Sequence, residues 1–391
     1  MKILQLGKFY PIRGGVEKVM WDLTAGLSAR GIDCDMLCAR LPVDAVDLKD
    51  RWMLPDGFEG GQYLSDEPLV MRFNEHGRVI CVPAHRKVAA TMLSSAMIDW
   101  LKEHGKEYDV IHVHHPDPMA CLALWMSHYK GKVVLHWHSD ILKQKGLLKM
   151  YLPLQRWLIR RADRIVGTTP VYVRESPYLQ NSQDKVDYIP IGVNEMQPDH
   201  VKVERIKSKY PGKKIIYSLG RLVGYKGYDY LVEAMKYLPD NYQLVIGGQG
   251  PLEGELQRKA SSLGVSDRVE FLGWVEDDDS ASWFGACDVF VLSSIWKTEA
   301  FAIVQVEAMS CGKPVVATKI SGSGVPWVNA DGVSGLNVPV EDSKALADAI
   351  FALTGDEAVY ASFGAAARKR YEELFTYSRM IDNCLEIYNS L

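Results

Sequence analysis

Short apolar runs alternate with longer stretches in which apolar residues recur every three to four positions. Lys2–Leu6 is the first such run. Val16, Val19, Met20, Leu23 and Leu27 then follow at helical spacing and predict an amphipathic helix that Gly31 stops. Further strands are predicted near Asp33–Ala39, Val79–Val82, Val110–Val113, Val133–His136, Arg164–Val166 and Val186–Ile189. Helical stretches lie between most of them. Leu41 to His76 mixes Pro, Gly and Asp with short apolar pieces, and no element is assigned there.

The pattern restarts after Pro190-Ile191-Gly192-Val193-Asn194, which reads as a linker. Strands are predicted at Lys214–Leu219, Gln243–Ile246, Val269–Leu272, Val289–Leu292 and Pro314–Ala317. Helices are predicted at Gly227–Leu238, Leu252–Leu263 and Ala302–Cys311. Strand-helix alternation of this kind implies α/β architecture with mostly parallel sheets. The predicted domains are residues 1–194 and 195–376. Each opens with strand, glycine, loop and helix, so both loops fall at the strand ends where such sheets bind ligands. If those ends face each other, the site lies in the cleft between the domains.

Composition narrows the function. The chain has 391 residues, enough for two domains of ~100–200 each. A net charge of −4 argues against a general nucleic-acid binder. The N-terminal apolar run is too short for a signal peptide, no run reaches the ~18 apolar residues of a membrane span, and a cytoplasmic location is expected. Seven scattered cysteines, none in a Cys-x-x-Cys pair, read as buried thiols.

Gly220-Arg221-Leu222-Val223-Gly224-Tyr225-Lys226-Gly227 sits directly after a strand and before a helix. Its glycines permit close backbone approach, a helix start favours anions, and Arg221 and Lys226 add charge. This suits a diphosphate; a solvated loop with two surface cations is the alternative. Glu299 and Glu307 lie eight positions apart, Glu299 in a loop at a helix start. Carboxylates accept hydroxyl hydrogen bonds, so a sugar or ribose is a natural ligand. Acidic residues complementing a helix dipole are the bland alternative. Gly14-Gly15 opens the first helix and could pack against a ligand or simply form a turn. Five histidines, His112, His114, His115, His136 and His138, lack the helical spacing of a zinc site, and no metal is expected. Gly247-Gly248-Gln249-Gly250 departs from a dinucleotide fingerprint and reads as a strand-to-helix turn with Pro251 at the helix start. The acidic run Asp277-Asp278-Asp279 reads as a solvated loop.

Together these segments resemble the retaining glycosyltransferases of family four, with the GT-B fold of two Rossmann-like domains. The resemblance spans nearly the whole chain. It rests most on Gly220-Arg221 with Lys226-Gly227 and on the Glu299–Glu307 pair followed by Ala308-Met309. Gly14-Gly15, Trp137-His138 and Ser293-Ser294 fit in order. The resemblance implies that Arg221 and Lys226 hold a donor diphosphate, Glu307 the ribose, and Glu299 with the N–H groups of Ala300 and Phe301 the donor sugar. It implies that Gly15 touches the diphosphate, His138 contacts the sugar near the reacting carbon, backbone near Val275 lines the base pocket, and a last helix over 377–391 crosses back to the first domain. It further implies a GDP- or UDP-linked hexose with a lean to mannose, a glycan or lipid-linked acceptor, retention of configuration and no cofactor. A nucleotide-sugar epimerase of the same architecture and a non-catalytic sugar-nucleotide-binding protein are the alternatives. The family often has glycine where this chain has Ala302, whose methyl is expected to narrow the sugar site.

Lys143 to Arg161 carries Lys143, Lys145, Lys149, Arg156, Arg160 and Arg161 among leucines and Trp157. A basic amphipathic stretch suits an anionic membrane surface, or merely covers the sheet with solvated cations. Pro153 is expected to break its helix.

Overall fold

The computed structural model describes residues 1–10, 14–40, 67–88, 91–141 and 145–391. The chain forms two compact units, Met1–Ile189 with Met380–Leu391, and Pro190–Arg379.

The first unit is built on an eight-stranded sheet. Its spatial order is Val186–Tyr188, Arg164–Gly167, Lys132–Trp137, Val110–His115, Lys2–Tyr10, Asp33–Arg40, Gly77–Val82, Leu69–Asn74. All neighbours are parallel except the last pair, which is antiparallel. The opening helix runs Gly15–Ala29 and buries Val19, Met20, Leu23 and Leu27. It ends as expected of a glycine stop: Gly31 has φ +77°, and Ile32 N–H donates to Leu27 O at 3.2 Å.

The second unit has a six-stranded parallel sheet in the order Val269–Gly273, Tyr242–Gly247, Lys214–Leu219, Val289–Leu292, Val315–Thr318, Gly335–Val338. Val289–Leu292 and Val315–Thr318 are buried throughout, as strands covered on both faces must be. Leu231, Val232, Leu346, Ile350 and Leu353 close over the sheet.

In both sheets the first strand of the unit lies between the second strand and a later one. The chain therefore turns outward in opposite directions from that point, which opens a crevice at the carboxyl ends of the strands. The strand Lys2–Tyr10, with Gly14 and Gly15 at the helix start beyond it, lies at one of these points, and the loop Gly220–Gly227 starts at the other.

Several expectations are corrected. Lys145–Arg161 is one helix that continues through Pro153. Pro153 is exposed, so the ring and its missing N–H face outward on a helix anchored by buried Tyr151, Gln155 and Leu158. Asp277-Asp278-Asp279 is the first turn of the helix Asp277–Ala286, where acids complement the positive helix end, and not a loop. The helix after Gly227 spans only Tyr228–Ala234. The helix after Gly250 begins at Glu253, two residues beyond Pro251.

Candidate active site

The loop after Lys214–Leu219 turns at Gly220 and passes through a single 3-10 turn, Gly224–Lys226, before the helix. It is stitched to the loop after Val289–Leu292. Ser293 Oγ donates to Lys226 O at 2.9 Å, and Ile295 N–H donates to Tyr225 O at 2.8 Å. Gly227 has φ +62°, and a Cβ there would come within 2.2 Å of Ser293 O. Only glycine allows that approach.

This stitching brings Lys226 to Glu299. Lys226 Nζ lies 2.6 Å from Glu299 Oε2, and each side chain is 11% exposed. Ser294 Oγ donates to the same carboxylate oxygen at 2.8 Å, and Ser323 Oγ donates to Glu299 O. Burial opposes the Lys226 charge, but Glu299, with Tyr228 and Tyr225 nearby, outweighs it and raises the lysine pKa. Lys226 is therefore a fixed cation. An ammonium has three donors, and Glu299 takes one, so charge and hydrogen-bonding capacity remain for an anionic ligand. Arg221 is exposed at the entry to the loop.

Ala300, half-buried, and Phe301, 4% exposed, follow Glu299 in the loop ahead of the helix Ile303–Ser310. Glu307 lies on that helix, half-buried. Ala302 caps the helix at φ +63°, ψ +81°. An L-residue pays ~1–2 kcal/mol for a left-handed conformation, so the pressure for glycine at this position comes from the backbone itself. Val275 lies beside Gly247, where a Cβ would stand 2.9 Å from Val275 Cγ2.

The other predicted residues belong to the first unit. Gly14 caps the first helix and Gly15 opens it, both exposed. A Cβ on Gly14 would fall 2.7 Å from Glu17 Oε2. Glu17 is itself buried, which raises its pKa, against the pull of Lys8. His138, 5% exposed, follows Lys132–Trp137. Its loop is pinned by His138 N–H to His115 O at 3.1 Å, and by Asp140, which accepts from Trp137 Nε1 at 2.9 Å and Ser176 Oγ at 2.7 Å.

His112, His114 and His136 place ring nitrogens within 4.8 Å of one another. Their rings stack at interplanar angles of 14–27°. Both nitrogens of His114 are already engaged, by His138 and Gln5. A metal held by His114 would have to displace one of these two hydrogen bonds.

Sequence reading missed Ser294 as an anchor of the Glu299 carboxylate, Ser323 as an anchor of its backbone oxygen, Lys8 beside Glu17, and the partners of His138. Gln5 carried a signal, being a polar residue inside an apolar strand.

Two doubly wound units, each with glycine at the start of the helix that follows its first strand, are the parts of a GT-B fold. Residues 13–196 match the model described as "Glycosyltransferase Family 4", and residues 201–370 match "Glycosyl transferases group 1". An O-antigen chain mannosyltransferase C of Escherichia coli is 32% identical, over 100% of this chain and 99% of its own. A D-rhamnosyltransferase of Pseudomonas aeruginosa is 29% identical, over 96% and 92%. Among solved structures, HepE of Anabaena in complex with UDP superposes with a TM-score of 0.77 at 22% identity, covering 100% of both chains. The chain belongs to the family-four glycosyltransferases, and its fold is GT-B.

Proposed function

We propose that this protein is a retaining, metal-independent transferase that moves a hexosyl group from a GDP- or UDP-linked donor to a glycan or lipid-linked acceptor. The carrying observation is the Lys226–Glu299 pair, buried at the switch point of the second sheet and fixed by Ser294. Breaking an anomeric bond develops positive charge on the sugar and negative charge on the leaving diphosphate. Lys226 and Arg221 stabilise the diphosphate, and preorganised charge of this kind does the work otherwise given to a cation. Glu299 receives sugar hydroxyls together with the N–H groups of Ala300 and Phe301. Glu307 takes the ribose, Gly14 and Gly15 approach the diphosphate, backbone near Val275 meets the base, and His138 contacts the sugar. The leaving phosphate assists the acceptor hydroxyl on the same face, so no protein nucleophile is assigned.

A manno-configured donor is favoured, because mannose and D-rhamnose, the sugars named for the two relatives above, share that configuration. UDP in the HepE complex keeps uridine beside guanosine as a candidate base. Thermal shift against GDP- and UDP-linked hexoses tests the reading. The true donor raises the melting temperature, and Glu307→Ala weakens that shift. Equal response to every nucleotide, or none, refutes it.

No helix among the described residues is long and apolar enough to cross a membrane. The helix Lys145–Arg161 supports surface contact: Lys149, Arg156 and Arg160 are exposed, as is Met150 at 81%. Leu148, Met150 and Leu154 line an apolar groove of about 310 Å³ with Leu93, Met119 and Leu122. Lys143 lies outside the described residues, and so does the side chain of Lys145. Salt-sensitive binding to anionic vesicles is expected and should weaken when Lys143, Lys145 and Lys149 become glutamine. Equal sedimentation of both proteins at low and high salt would leave the helix as sheet cover only.

A further inference from the structure

Within the first unit, His112 and His114 alternate along one strand, and His136 and His138 follow the same alternation on and just past its neighbour. His114 pairs with His136 in register. All four rings are buried and stack, His136 on His138 at 3.9 Å. The C-terminal helix Tyr377–Asn389 brings Tyr388, 3% exposed, to this cluster, and Gln5 on the first strand completes it.

The hydrogen bonds form one chain. His138 Nε2 lies 2.9 Å from His114 Nδ1. His114 Nε2 lies 2.8 Å from Gln5 Oε1, and Gln5 Nε2 donates to Tyr388 Oη at 2.9 Å. Gln5 Nε2 also faces Cys34 Sγ at 3.8 Å, so both amide hydrogens have acceptors. The amide is placed with its oxygen toward His114 and its nitrogen toward Tyr388, whose hydroxyl also lies 2.6 Å from His112 Nδ1. The amide oxygen can only accept, so His114 carries its proton on Nε2. Burial pulls the pKa of His114 and of His138 far down, so both rings are neutral and each holds a single proton. Neutral His114 must then accept at Nδ1, and His138 must donate from Nε2.

We propose that Gln5 and Tyr388 are positioning residues: through His114 they hold His138 in its Nε2–H tautomer, so that Nδ1 presents a lone pair to a hydroxyl of the donor sugar. The proposal rests on the reading that His138 meets that sugar. The C-terminal helix thereby takes part in setting the chemistry of the loop that carries His138, acting through Gln5, which lies 383 positions from Tyr388. Tyr388 supports Gln5, Gln5 fixes the polarity, and His114 transmits it. A neutral histidine whose outer nitrogen is held by a partner is a common way to fix which nitrogen faces the reaction.

The test is the ring ¹⁵N spectrum of the full chain labelled at its ten histidines, with His138 assigned by its loss in His138→Gln. Wild type should show His138 and His114 as Nε2–H from neutral pH to well below it. Gln5→Met should let the His114–His138 pair take both polarities, and an Nδ1–H form of His138 should appear. Tyr388→Phe should do the same more weakly. The kcat/KM of Gln5→Met should fall on the order of tenfold, the scale of losing the outer partner of a functional histidine. That loss should vanish in a His138→Ala background. An Nδ1–H His138 in wild type overturns the proposal without need of any variant, as does a tautomer unchanged by Gln5→Met. A tautomer that shifts while kcat/KM stays at the wild-type value leaves the relay standing and removes the sugar contact of His138.

Discussion

Replacing Lys226 separates what the buried pair does for stability from what it does for catalysis. In Lys226→Met, Glu299 keeps Ser294 but loses the ammonium 2.6 Å away, in a site where each side chain is 11% exposed. Breaking a buried pair by removing one partner costs ~3–5 kcal/mol, because a charge is left uncompensated. The retained serine hydrogen bond offsets ~1 of this, which leaves about 3 kcal/mol. For a unit of this size each kcal/mol shifts the melting temperature by ~2–4 °C, so the transition of the second unit should drop by about 6–12 °C. Adding Glu299→Gln removes the orphaned charge and should recover most of the loss. Activity should not recover: kcat/KM should stay down by ~10²-fold or more in both variants. Arg221→Ala should lower kcat/KM to a similar degree with little effect on melting, since Arg221 is exposed, and should be non-additive with the Lys226 change. Calorimetry and steady-state kinetics on one set of variants decide this. Lys226→Met that melts like wild type, or Lys226→Met with Glu299→Gln that regains turnover, would refute the reasoning.

The histidine core predicts acid sensitivity. Burial lowers His115 and His136 to about 3, against an ordinary value of about 6.5, so the unfolded chain takes up protons first. Stability is therefore intact above about pH 6.5 and is lost as pH falls toward 3, by ~1.4 kcal/mol per unit for each ring. The two together remove about 3 kcal/mol by pH 5.5, and a melting temperature constant from pH 7 to 5.5 would contradict this. Ala302→Gly should stabilise by ~0.5–1 kcal/mol, the strain relieved at φ +63° less the entropy of an added glycine, and chemical denaturation should show a higher midpoint. An unchanged or lower midpoint would mean that the alanine carries no strain.

The strand-loop-helix order was legible because buried parallel strands are short β-branched runs, as in Val289–Leu292 and Val315–Thr318. Leu69–Asn74 was not, because Arg72 and Asn74 cut short the apolar run of an edge strand that is only partly buried. The helix through Pro153 was misread because local propensity favours a break, while packing of Tyr151 and Leu158 holds the helix together. At the site, glycines and cations marked the Gly220–Gly227 loop. The direct pairing of Lys226 with Glu299 was hidden, since it arises from the crossing of two separate loops rather than from spacing. The Gln5–Tyr388 contact was hidden for the same reason.

The central claim is sugar transfer without a metal, and release of nucleotide diphosphate in EDTA tests it most directly. Purified protein is given a GDP- or UDP-linked manno-configured donor, with and without a membrane-derived glycan or lipid acceptor. The account predicts release only when acceptor is present, undiminished by chelator, with the anomeric configuration of the donor kept in the product. Release that needs added Mg²⁺ or Mn²⁺ would contradict it and bring Asp277, Asp278 and Asp279 back into consideration. So would equal release without acceptor.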